Sequence, residues 1–86
     1  MSYFDFLRAG SKVHKVDVRS EGVIQIRPTE ETDECLQQFQ DVVGDAQTHS
    51  YDEGYTVLLH QTSTRSLPGW AGPVYASAVI SAKNVP

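Results

Sequence analysis

The order of apolar and polar positions divides the chain into six segments. Phe4 and Leu7 stand three apart, behind Ser2, a capping residue, and ahead of Gly10, which is suited to ending a helix; residues 2–10 therefore predict a short opening helix. From Lys12 to Arg27 the period changes to two. Val16 and Val18 share one face, and after Ser20-Glu21-Gly22 so do Ile24 and Ile26. Two strands joined by a tight turn, with Gly22 free to take a positive φ, predict a hairpin.

Pro28 lacks a ladder donor and stops the second strand, and Thr29 can cap a helix that opens on Glu30 and Glu31. At 100° per residue, Cys35, Leu36, Phe39, Val42 and Val43 fall within an arc of about 120°, the width of a core-facing stripe. With Gly44 as its stop, this predicts the main helix over residues 30–43. Residues 45–54 are polar and read as a loop, with a short strand near 48–51. Residues 55–61 are β-branched and aromatic and predict a strand. Pro68-Gly69 and Gly72-Pro73 mark a loop over 63–73. Beyond it Val74, Ala76, Ala78, Ile80 and Ala82 alternate with Tyr75, Ser77, Ser81 and Lys83, which predicts a last strand and leaves a helix as the alternative.

The expected fold is a small single α+β domain over residues 1–86: a mostly antiparallel sheet of about four strands, the main amphipathic helix, and the short N-terminal one. Leu36, Phe39 and Val43 should pack on Ile24, Ile26 and Leu59. The single cysteine, Cys35, excludes an internal disulfide and any zinc site of several thiolates. No apolar run approaches the roughly 18 residues that cross a bilayer, and the N-terminus lacks a basic, apolar leader. A soluble, cytoplasmic protein without membrane contact is expected.

Charge is the feature above background. Residues 1–27 carry five cations against three carboxylates, whereas residues 28–64 carry eight carboxylates and no Lys or Arg. Glu30, Glu34 and Asp41 fall opposite the apolar arc of the main helix, and Asp45, Asp52 and Glu53 extend the same acidic stretch. A solvated helix face usually intersperses Lys or Arg four residues after Glu; none does so here. The plain reading is a solvated acidic face. The functional one is a surface that docks on a basic site of another protein, such as one that holds nucleic-acid phosphates. Direct nucleic-acid binding through that face is repulsive and disfavoured.

Candidate chemistry is sparse. The six glycines are scattered singly, so phosphate-cradling loops are missing and no cofactor is expected. His49 beside Asp52 and Glu53 offers part of a metal site, short of the usual three or four ligands, so no metal is expected. His14 and His60 fall on predicted strands and read as structural. Cys35, on the apolar arc, reads as a small buried hydrophobe rather than a nucleophile. Trp70, between Pro68 and Pro73, either folds back over the core or serves with Tyr75 as an aromatic anchor for a partner.

The order Val23-Ile24-Gln25, an acidic helix, Tyr51-Asp52-Glu53, Val57-Leu58-Leu59, Thr62-Ser63 and Trp70 resembles that of the uracil-DNA glycosylase inhibitors, small acidic DNA mimics of similar length. The likeness needs several gaps. Ile26-Arg27 stands where that family has a functional acid followed by serine, so no family residue is carried over.

Together these features predict a non-enzymatic protein-binding module, an acidic inhibitor or adaptor that masks a basic, nucleic-acid-processing partner, as a phage antagonist of host defence would. The partner-binding residues are then Glu30, Glu34, Asp41, Asp45, Asp52, Glu53, Trp70 and Tyr75. The alternative is a structural subunit of a homo-oligomer or viral particle; a small enzyme ranks below both, because no catalytic residue can be named.

Overall fold

A computed structural model describes residues 2–82. In it the chain runs α1 (Tyr3–Ala9), β1 (His14–Ser20), β2 (Val23–Pro28), α2 (Asp33–Glu53), β3 (Tyr55–Thr62) and β4 (Tyr75–Ala82). The strands form one sheet in the order β1-β2-β4-β3, every neighbouring pair antiparallel. This is the small α+β architecture expected, and the last segment is a strand. Lys83, read as continuing its alternation, lies outside the described residues.

Local chemistry explains most boundaries. Ser2 Oγ accepts the Asp5 N–H and caps α1. Gly10 follows at φ 80°, a conformation side chains resist. Gly22, at φ 76°, turns β1 into β2.

The main helix differs from expectation at both ends. Thr29 does not cap it, because its hydroxyl donates to the Lys12 carbonyl at 2.6 Å and ties the end of β2 to the approach to β1. Thr32 does so instead, accepting the Cys35 N–H at 3.2 Å. Gly44 does not end the helix. The predicted loop and short strand over residues 45–54 are helical, and α2 stops only at Gly54, whose left-handed backbone returns its N–H to Ser50 O. What holds the extra turns is long-range: Ala46 is buried, and the Tyr55 hydroxyl donates to the Ala46 carbonyl at 2.6 Å. Gly44 costs about 1 kcal/mol of helix propensity, less than burial of these groups returns.

Both helices contribute to one core. Leu7 from α1, Phe39, Val43 and Ala46 from α2, and Tyr55, Ile24, Ile26, Ala78 and Ile80 from the sheet are its buried members. The register aligns Ile24, Ile80 and Val57 in one cross-strand row and Ile26, Ala78 and Leu59 in the next. Leu59 is only half-buried at the rim, and Leu36 leaves this core for a second cluster with Leu67 and Val74, covered by Trp70. Gln40, a polar residue beside the apolar arc, is buried because it works as a clamp. Its amide donates to the Tyr75 carbonyl at 2.8 Å and accepts the Tyr75 N–H at 2.7 Å, fixing the start of β4 to α2.

His14 is fully buried. Its Nε2 lies 3.0 Å from the Leu7 carbonyl, which can only accept, so Nε2 carries the proton and Nδ1 accepts from the Ser11 hydroxyl at 2.8 Å. Burial pushes its pKa below the ordinary histidine value, against the opposing pull of the Leu7 and Phe6 carbonyls.

Candidate functional site

Asp41 and Asp45 stand one turn apart on α2, and the fold sets aromatic side chains on either side of them. One flank is a groove of about 480 Å³ between α2 and the loop of residues 63–74, lined by Asp41, Gly44, Asp45, Trp70 and Tyr75. The other, of about 510 Å³, runs between α2 and α1, lined by Asp41, Asp45, Tyr3, Phe6 and His49. The two carboxylates thus form a ridge between two aromatic-walled grooves. Like charges four residues apart cost a helix a few tenths of a kcal/mol, a small penalty left in place along this ridge.

The loop wall is built by specific contacts. Trp70 is half-buried over Leu36, Leu67 and Val74, and its indole N–H donates to the Pro73 carbonyl at 3.3 Å. It therefore folds back over a cluster, the first of the two readings, and leaves part of its ring on the groove. Arg65 holds the loop down by pairing with the Asp33 carboxylate and donating to the Glu31 carbonyl. Tyr75 is positioned by the Gln40 clamp.

On the α1 side, the Tyr3 ring stacks on His49 at 4.8 Å between centroids and its hydroxyl donates to the Val42 carbonyl. Burial, and then the Asp45 carboxylate, push the Tyr3 pKa up to about 12.

Five of the eight residues predicted for partner binding, Asp41, Asp45, Glu53, Trp70 and Tyr75, therefore line these two grooves. The other three do not. Glu30 and Glu34 line a separate notch near Cys35 at the start of α2. Asp52 is exposed in the last turn. Glu53, at the end of the α1-side groove, is engaged by the fold itself: its carboxylate accepts the backbone N–H groups of Tyr3 and Phe4, each at 3.0 Å, and caps α1. His49 lies 3.9 Å from that same carboxylate. Tyr3 and Phe6 join the site without having been singled out by charge or period, and the aromatic run of the first helix is the signal that points to them; His49, weighed in the sequence as part of a metal site, stands here as a stacking partner of Tyr3.

Elsewhere the candidate side chains are engaged by the fold. Cys35 Sγ meets the Thr29 hydroxyl at 3.4 Å and the Val13 carbonyl at 3.5 Å. On the open face of the sheet, His60 Nδ1 takes the Gln25 amide at 3.3 Å, and hence the Ser77 hydroxyl at 3.0 Å, as donors. Ser77 is fully buried, out of reach of a substrate. Among the described residues, no three His, Cys, Asp or Glu side chains converge as metal ligands, and no helix is long and apolar enough to cross a membrane.

Comparison with protein-family models, with curated proteins and with solved structures gives no match for this chain.

Proposed function

We propose that the chain is a protein-binding module that takes a basic segment of a partner protein across the Asp41–Asp45 ridge. The observation that carries this reading is the pairing of the ridge with aromatic walls on both sides. A carboxylate neutralises a guanidinium or ammonium head, while an aromatic face accepts its cation and its methylene stem. An evenly solvated acidic helix has no such walls. Masking a basic surface of a nucleic-acid-processing protein, as an inhibitor or adaptor, is the role this chemistry suits best, and the complementary field would speed encounter.

Titration of the full chain with arginine-rich, lysine-rich and glutamate-rich peptides, read by Trp70 fluorescence, tests the reading. The basic peptides should shift the emission, less so at high salt, and the Asp41→Asn, Asp45→Asn double variant should lose the response. An equal response to the glutamate-rich peptide, or none to the basic ones, rejects it.

A further inference from the structure

The two edges of the sheet differ in a way that bears on assembly. Along β1, Lys15, Asp17 and Arg19 alternate, and Asp17 is paired with Arg27 of β2 at 3.2 Å. Along β3, from Tyr55 to Thr62, there is no Asp, Glu, Lys, Arg or Pro. Edge strands are normally blunted by charge, proline, a bulge or a covering element. Here the only such devices within the strand are two register shifts, after Leu59 and after Gln61, which leave Tyr55–Leu59 regular.

Apolar side chains flank that regular stretch on both faces. Leu58 is 65% exposed on the open face. Val57 and Leu59, which extend the rows of Ile24–Ile80 and Ile26–Ala78, are only half-buried at the edge. Tyr51, 93% exposed, stands on the last turn of α2 just before β3 begins.

We propose that the β3 edge pairs with the β3 edge of a second copy of this chain, antiparallel about a two-fold axis, joining two four-stranded sheets into one of eight strands. Self-pairing requires a self-complementary strand, which an uncharged one is. With the axis at Val57, Val57 faces its own copy, Thr56 faces Leu58 of the second copy, and Tyr55 faces its Leu59. Every cross-strand pair is then apolar or neutral. In a chain of net charge −4, the strand offers the two copies a contact free of like-charge repulsion. With the axis at Val57 the two strands overlap over Tyr55–Leu59, about 17 Å at about 3.4 Å per residue, and this contact with its flanking side chains buries on the order of 700 Å², the size of a weak interface. The dimer is accordingly weak, with a dissociation constant on the order of 100 μM. It does not use the acidic ridge and stands or falls separately from the groove reading.

Sedimentation of the full chain from about 5 to about 500 μM, spanning that constant, tests the pairing. The wild type should pass from monomer to dimer, and its amides over residues 55–59 should gain hydrogen-exchange protection with concentration. Leu58→Lys and Thr56→Lys should stay monomeric throughout, while Val18→Lys, on the opposite edge, should dimerise like the wild type. Should Leu58→Lys lose the native circular dichroism, Thr56→Lys alone decides. A wild type monomeric over the whole range overturns the proposal, as does a dimer that survives both lysine variants or is lost in Val18→Lys. Protection of residues 55–59 that arises only on adding a basic peptide assigns the edge to a foreign strand and overturns it too.

Discussion

Glu53 and Tyr3 lie 50 residues apart, and the carboxylate of one accepts the backbone N–H of the other at 3.0 Å. With the Phe4 N–H on its second oxygen, Glu53 supplies the first turn of α1 with two acceptors and a negative charge, which suits the positive end of a helix. The seven-residue α1 is too short to hold on propensity alone, so this contact and the burial of Leu7 keep it docked. Glu53→Ala should cost about 1–2 kcal/mol, lowering the melting temperature by roughly 4–8 °C per kcal/mol. Asp52→Ala, the exposed neighbour, should change it by about 0.5 kcal/mol or less. Equal effects of the two in thermal melts would show that Glu53 does not cap α1.

Gln40 makes a second contact that can be weighed against a neighbour. Replacing it with Leu removes the Gln40 partners of the Tyr75 backbone and leaves a partly buried N–H and C=O without them, at about 1–3 kcal/mol each, partly offset by the apolar side chain. We expect Gln40→Leu to lose about 2–3 kcal/mol in urea unfolding and Gln37→Leu, on the exposed face, to be near neutral. Tyr75 should also lose its place on the groove, so basic-peptide binding should weaken in Gln40→Leu.

Gly44 separates the two readings of the helix. It sits mid-helix, exposed, with open space where a Cβ would stand. Gly44→Ala should therefore stabilise the protein by about 0.5–1 kcal/mol. A helix that ended at Gly44 in a left-handed cap would instead be destabilised, so the sign of the change in urea unfolding decides where α2 ends.

That contrast shows what is legible along the chain. The strands and the first turns of the main helix follow from side-chain period, which is local. The helix beyond Gly44 does not, because the only fully apolar residue buried there is small, Ala46, and the partner that secures it, Tyr55, is reached only after the chain reverses. Leu36 belongs to a different cluster from the one its period implies for a similar reason: the loop carrying Leu67 and Trp70 folds back under the Arg65–Asp33 contact, and no period announces it. The acidic stretch is plain from charge alone. Its division into a ridge, a notch and a structural cap depends on helix phase across residues 45–53, which a stop at Gly44 hides.

His14 gives the fold a dependence on pH. Its pKa is lowered in the folded protein, so between that value and about 6.5 the unfolded chain binds a proton that the native one refuses. The stability is then complete above about pH 6.5 and is lost as pH falls toward the folded value. Protonated Nδ1 would also have to donate to Ser11 Oγ, which already accepts the N–H groups of Val13 and His14. Unfolding free energy measured by urea at about pH 7.5 and about pH 5.5 should fall between the two. His14→Gln, less stable at both, should show a smaller fall, and an equal fall would assign the dependence to other groups.

The ridge and the net charge make different predictions for partner binding, and substitutions of equal charge tell them apart. Asp45→Lys and Glu34→Lys change the total by the same amount, but Asp45 borders both aromatic grooves while Glu34 lines the notch beside Cys35. If attraction were only the field of an acidic molecule, both would slow association of a basic peptide alike, and both effects would fade as salt shortens the screening length from about 10 Å at 0.1 M to about 3 Å at 1 M. A contact at the ridge also raises the dissociation rate, because the cation loses its partner inside the groove. We therefore expect Glu34→Lys to slow association modestly, and Asp45→Lys to slow it and speed dissociation by at least about tenfold, or about 1.4 kcal/mol. The fold should tolerate both: Asp45→Lys relieves repulsion from Asp41, and Glu34→Lys gives up a first-turn carboxylate that suits the helix dipole, at about 0.3–1 kcal/mol. Matching dissociation rates for the two variants in stopped-flow traces would move the binding surface off the ridge.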